Sequence, residues 1–410
     1  MIAEIAILAV LAGFALLAGR LASTPVTAPI VFLGTGVAAS LVGLVPRAAT
    51  EPALHVLAEV ALVVLLFLDA AKVDTLALWR HHAWPARMLA IGLPAAFLLG
   101  WGAAIVLLPG WPVALAALAA ALLIPTDAAL GQTVVNDPDV PTRTRRTLTV
   151  ESGLNDGLAL PLVLVTSALA APVATAPAAG WLIFTAQQIV LGVGVGAAVG
   201  AAGGAAMVRA QAAGATSKVY EGIATLALAG LAYLVAGAFG GNGFLAAFAG
   251  GLGFGAVLKG RCAFVYEFTE SEGQLVAWTA FFLLGALLVP QAAANLSLPV
   301  LAVILTSFLV VRPLAVWIAL AGTDASPASR LFFGWFGPRG LATAIFALIV
   351  VGRLDTVAAD RVLHLAINAV WISALLHGAT AVSGGRAYAR YVRGRDGSGG
   401  APSARDADPS

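Results

Sequence analysis

Charge is what this sequence has least of. Only 10% of its 410 residues are Asp, Glu, Lys or Arg, whereas 60% are hydrophobic and the mean hydropathy is +0.97. Soluble domains carry about 25% charged residues. No soluble fold hides this much apolar surface, so the chain is read as an all-α integral membrane protein. The single cysteine, Cys262, excludes an internal disulfide and a thiolate metal cluster. A net charge of +2, with no basic domain and no aromatic–basic interleaving, excludes nucleic acid as a partner. The His81-His82 pair has no third ligand nearby. No nucleophile set or pair of histidines on one helix face points to an enzyme, and no cofactor is expected.

What is present is a series of apolar runs long enough to cross a bilayer, for which a helix needs about 20 residues. Breaks at charged or Pro/Gly-rich turns give thirteen: 2–19, 26–45, 54–71, 86–108, 112–135, 145–171, 180–208, 219–239, 243–258, 272–290, 298–320, 327–351 and 360–383. The first begins with Glu4 and no Lys or Arg, so it is read as a retained helix rather than a leader. The 22 Lys and Arg residues test the count. With the turns after odd-numbered spans and the C-terminal tail on one side, only Arg47, Arg353 and Arg361 fall opposite, and Arg312 and Arg339 lie within spans. Positive turns are cytoplasmic, which puts the N-terminus outside and the C-terminus inside. The tail 394–410, almost without apolar residues, is expected to be disordered.

Two spans are interrupted: the fifth by Pro125-Thr126-Asp127 and the twelfth by Gly337-Pro338-Arg339-Gly340. Non-helical backbone survives at membrane depth only where it is buried in protein or lines a cavity. The two spans are seven apart and so cross in opposite directions, the pattern of inverted repeats with crossed broken helices. The repeats are expected at roughly 1–171 and 219–383 within one domain, 1–390, joined by a linker span, 180–208. Glycines of that span, Gly192 to Gly204, are read as close helix packing.

Asp127, Glu151 and Asp156 are three carboxylates in two adjacent spans, and each costs about 2.5–3.5 kcal/mol on insertion scales. Ser152 and Asp156, four apart, share a helix face. Glu151 lies about 140° round the helix from Asp156. Asp156 with Ser152 offers hard oxygen ligands for a hard cation, and carbonyls freed near Thr126 suit the same role. Glu151 is assigned a buried cationic partner. Only two lie within spans, so Glu151 is paired with Arg312 and Asp127 with Arg339. Asn155 donates and accepts at once and suits a tether for the unwound backbone. A lone intramembrane Asp often only glues helices together; this convergence of acids, hydroxyls and arginines points instead to an ion site.

Of the remaining candidates, Asp69 is placed on a cytoplasmic funnel towards the site, and Asp74 with Lys72 in the adjoining turn. Glu59 fits a dimer interface or an ion pathway equally well. His364 and His377 are read as structural.

At these residues the chain resembles the monovalent cation:proton antiporters, the bacterial NhaP-like sodium/proton exchangers. Pro-Thr-Asp-Ala at 125–128, Glu-Ser-Gly-Leu-Asn-Asp-Gly at 151–157 and Gly-Pro-Arg-Gly at 337–340 carry the likeness, joined by 67–74 and 241–248. The resemblance implies a core domain moving against a dimerisation domain in a plasma-membrane homodimer. It implies Asp156 as the carboxylate shared by cation and proton, with Thr126 and Ser152 as ligands. Asp127, Asn155, Glu151, Arg312 and Arg339 would be scaffold. Asn155-Asp156 is the form of electroneutral members, which exchange one cation, sodium first, for one proton. Oxygen ligands alone do not separate sodium from lithium or potassium. The rival reading is a sodium-coupled organic-solute symporter on a related scaffold.

Overall fold

The computed structural model describes residues 2–21, 24–45, 47–73, 83–135, 137–172, 178–259 and 263–396. Asp74, His81, His82, Cys262 and residues 397–410 lie outside them. The chain order is α1 (Ile2–Leu21), α2 (Ala28–Leu41), α3 (Arg47–Ala71), α4 (Ala83–Leu107), α5 (Val113–Leu122), α6 (Ala128–Val135), α7 (Thr142–Ala170) and α8 (Ala178–Ala212). It continues with α9 (Lys218–Ala238), α10 (Gly243–Leu258), α11 (Ala263–Leu287), α12 (Val289–Ala294), α13 (Leu298–Ala319), α14 (Pro327–Trp335), α15 (Leu341–Val351) and α16 (Thr356–Asp396). Six helices among the described residues are long and apolar enough to cross a membrane, and shorter apolar ones accompany them.

The helices start and stop for local reasons. Pro112, Pro141, Ser297 and Ser326 stand at N-caps with extended backbone. Asn242 caps α10 by accepting the Leu245 amide at 3.0 Å. Pro94 and Pro313 each follow a π turn, Met88–Gly92 in α4 and Ser307–Val311 in α13. Proline removes the amide that would close an α turn, and the helix widens by one residue just before it. The second of these turns fixes where Arg312 emerges.

Glycine sets how close some helices come. A Cβ at Gly196 or Gly200 of α8 would strike the backbone of α10, and one at Gly251 or Gly255 of α10 would strike α3. α8, α10 and α3 are thus layered with backbones almost touching, the contact small residues permit in a membrane. Large aromatic side chains fill the rest: Phe67 tilts against Phe254, and Trp278 stacks on Phe32 with Phe14 at its edge.

Three boundaries differ most from the sequence expectation. α3 begins at Arg47 rather than near 54, and α11 at Ala263 rather than near 272. α16 runs on to Asp396, through the first residues of the stretch expected to be disordered, because Ala-Tyr-Ala-Arg-Tyr-Val-Arg is a strong helix-forming run and nothing there ends it.

Candidate functional site

Both interruptions fall at the expected prolines, and the two unwound segments meet. α5 ends at Leu122 and α6 begins at Ala128; α14 ends at Trp335 and α15 begins at Leu341. The segments are joined by one backbone bond, the Asp127 amide to the Pro338 carbonyl at 2.8 Å. Four half-helix ends therefore meet in one place, two with unsatisfied amides and two with unsatisfied carbonyls.

The buried charges sort themselves by those ends. Asp127 accepts the Leu130 amide of α6 at 3.4 Å and the Leu341 amide of α15 at 2.8 Å, so one carboxylate caps two N-termini. Arg339 donates to the carbonyls of Ile124 and Pro125 past the end of α5, and its own amide donates to the Ser373 hydroxyl at 2.7 Å. This corrects the expected Asp127–Arg339 ion pair. Among the described ion pairs Arg339 has no carboxylate partner; carbonyl oxygens at a helix C-terminus take its place, as the helix dipole favours. Gly340 makes the arrangement possible, since a Cβ there would overlap the Asp127 carboxylate. Gly340→Ala is therefore expected to lower the melting temperature well beyond a surface change, by about 2 kcal/mol or more in stability; a melt unchanged from wild type would contradict that contact.

Glu151 meets Arg312, with Oε1 2.7 Å from Nη1 and both side chains buried. Its other oxygen accepts the Thr126 hydroxyl at 3.4 Å. Asn155 closes the group: its Oδ1 accepts the Thr126 amide at 3.2 Å, and its Nδ2 donates to Glu151 at 3.3 Å and to the Thr126 hydroxyl. The hydroxyls of Thr126 and Ser152 are 3.3 Å apart. Gly337 lies against the Arg312 guanidinium and Thr126, where a side chain would collide.

Asp156 is half-buried, and its Oδ1 is buried without a hydrogen-bond partner among the described residues. It lines a cavity of about 50 Å³ with Asp69, Asp127 and Leu341. A second cavity, of about 160 Å³, shares Asp69 and Asp127 and adds Lys72, Thr149 and Ser152. It lies towards the end of α3 and the start of α7. Thr126 lines neither cavity, and no contact between Asp156 and the Thr126 or Ser152 hydroxyl is described. Glu59 lies elsewhere, accepting the Tyr233 hydroxyl of α9, and lines neither cavity.

Sequence reasoning missed Ser373, which holds the Arg339 amide and pairs with His377 Nδ1 at 3.0 Å. The i,i+4 spacing of Ser373 and His377 was the available signal. His377 also bonds the Ser373 carbonyl at 2.9 Å, a structural role. It missed Tyr388 as well, whose hydroxyl ties Thr144 of α7 to Ser329 of α14.

A clamp near the start of α7 was equally invisible. Arg143 meets Asp324 at 2.5 and 3.0 Å and lies 3.6 Å over the Trp84 ring, whose Nε1 donates to the same carboxylate at 2.7 Å. The Arg143 hydrogen bond holds Asp324 below the usual carboxylate range against partial burial, and Trp84 helps. A lowered folded-state pKa gives stability that is complete above the ordinary Asp range near 4 and is lost as pH falls through the lowered value. Arg143→Gln should cost less than about 1 kcal/mol through the ion pair at neutral pH, the pair being exposed, and only the stacking on Trp84 is left to lose once Asp324 is protonated. Melting curves whose separation does not narrow towards the acid end would refute this.

Comparison with known proteins bears on the whole arrangement. Residues 6–383 match the family model described as the transmembrane sodium/hydrogen exchanger. The K(+)/H(+) antiporter NhaP of Alkalimonas amylolytica is 30% identical over 347 residues, covering 80% of this chain and 57% of its own length. The K(+)/H(+) antiporter NhaP2 of Shewanella oneidensis is 28% identical over 350 residues, covering 81% and 57%. The chain thus spans under two thirds of these relatives' length. Two structures of the sodium proton antiporter MjNhaP1 from Methanocaldococcus jannaschii share the fold at 20% and 21% identity. Their TM-scores are 0.72 and 0.77, covering 92% and 96% of this chain and 100% and 98% of theirs.

Proposed function

The chain belongs to the sodium/hydrogen exchanger family, and from that premise we propose that it exchanges one monovalent cation for one proton at Asp156. One observation carries the reading. Of the three carboxylates at the crossing, Asp127 and Glu151 have both oxygens engaged by amides, hydroxyl or guanidinium, and Asp156 keeps a buried oxygen without a partner. Two guanidiniums, Arg312 and Arg339, balance two of the three negative charges. The third is cancelled by one cation or one proton, and either makes the group neutral.

Neutrality is what permits movement. Carrying a lone charge across 100 mV costs about 2.3 kcal/mol besides desolvation, so the empty anionic site is the immobile state. Cation and proton therefore alternate on one carboxylate, with no net charge moved per cycle. Thr126 and Ser152 supply further oxygens as the site closes on its ion; Asp127, Asn155, Glu151, Arg312 and Arg339 hold the frame.

The proposal includes thirteen spans in two inverted repeats, with α8 as the linker. Its support is that the helix starts at residues 2, 28, 47 and 83 recur at 218, 243, 263 and 298, about 215 residues later, as do the proline-linked π turns and the breaks. Positive turns support an N-terminus outside and a C-terminus in the cytoplasm, and the plasma membrane follows from the resemblance. A core domain moving against a dimerisation domain in a homodimer follows from the resemblance.

Sodium is the proposed cargo, and potassium, the ion for which the two bacterial relatives are named, is the competing one. A scan of sodium, lithium and potassium in everted vesicles, read as ion-dependent dequenching, decides between them; no response to any of the three would end the exchanger reading. Organic-solute symport has no support: a cavity of about 50 Å³ at Asp156 is far below the roughly 300–1,000 Å³ of pockets that enclose such ligands.

A further inference from the structure

Asp69 lines both cavities, whereas Lys72 lines only the outer one. The two are one helical turn apart at the end of α3, with Nζ 3.7 Å from Oδ1 and each side chain 31% exposed. Asp69 is also close enough to act electrostatically on Asp156. The carboxylate thus stands between the mouth and the inner site, and the charge beside it is a tethered one of the same sign and magnitude as the cargo.

We propose that Asp69 is an antechamber site for the incoming cation and that the Lys72 ammonium is its built-in competitor, displaced as the cation passes inward. This rests on the exchange assigned to Asp156. The chemistry favours displacement. A partly exposed Lys–Asp pair is weak, and the lysine stem is flexible, so the hydrated ammonium swings towards the mouth at small cost. Arginine would grip the carboxylate in two places and release it less readily. With the ammonium in place the charge of Asp69 is cancelled; with it displaced, the carboxylate draws the cation in.

A merely structural ion pair would affect folding, not the concentration dependence of transport. In everted vesicles at fixed pH and ionic strength, Lys72→Gln is expected to lower the half-saturating cation concentration about two- to fivefold, with the maximal rate unchanged. Lys72→Met should do the same. Asp69→Asn should raise that concentration, and adding Lys72→Gln to it should bring no further fall, because the competitor has lost the site it competes for. An unchanged half-saturation in Lys72→Gln overturns the proposal. So does an equal fall in the Asp69→Asn background, which would mean plain repulsion by the ammonium. If Asp156→Asn is inactive while Lys72→Gln matches wild type, the antechamber alone fails. Exchange that persists in Asp156→Asn overturns both readings.

Discussion

Asp156→Asn is expected to abolish cation-driven proton movement in everted vesicles while the protein folds at least as stably as before. The amide keeps the size and polarity of the side chain but binds neither a proton nor a cation as a carboxylate does. The crossing then has two guanidiniums, two carboxylates and a permanently neutral group, so nothing is left to exchange. Stability should hold or rise, because no described partner of Oδ1 is orphaned by the change and a costly buried charge is gone. The pair of readouts matters. Lost transport with an intact melt locates the chemistry at this side chain; exchange above background in the variant would remove it from the mechanism.

The opposite signature is expected of Glu151 and Arg312. Replacing either, as Glu151→Gln or Arg312→Met, leaves a buried charge without its 2.7 Å partner and should destabilise by about 3–5 kcal/mol. Glu151 also receives Thr126 and Asn155, so its loss loosens the turn that leads into α6. The double variant should recover a large part of the deficit, since no unpaired charge remains. A double-mutant cycle on melting data measures the coupling; simple additivity of the two losses would show that the contact contributes nothing of its own.

The sequence made some of this architecture readable for physical reasons. Proline and glycine act on the chain at their own positions, so Pro125 and Pro338 marked both breaks. The contact of Glu151 with Arg312 was legible because only two guanidiniums fall inside apolar spans, and a buried acid has few choices. The same reasoning misled at Asp127 and Arg339. Counting side-chain charges ignores the partial charges at helix ends, and here those ends outbid the opposite side chain. Ser373 and Tyr388 were hidden for another reason. A serine or tyrosine in a span costs little, so it raises no question from sequence. Which oxygens face a cavity depends on how α3, α7 and α15 are set against each other, and that is not written in any local pattern.

α16 extends over 41 residues, Thr356–Asp396, roughly 60 Å at the usual rise and about twice the hydrocarbon thickness. Along that unbroken rod sit Ser373, which grips the unwound segment before α15, Tyr388, which joins α7 to α14, and Arg393, paired with Asp139 at 2.8 Å. The helix is continuous between them. A displacement of the unwound segment before α15 is therefore passed through Ser373 into the same helix that carries the Tyr388 and Arg393 contacts.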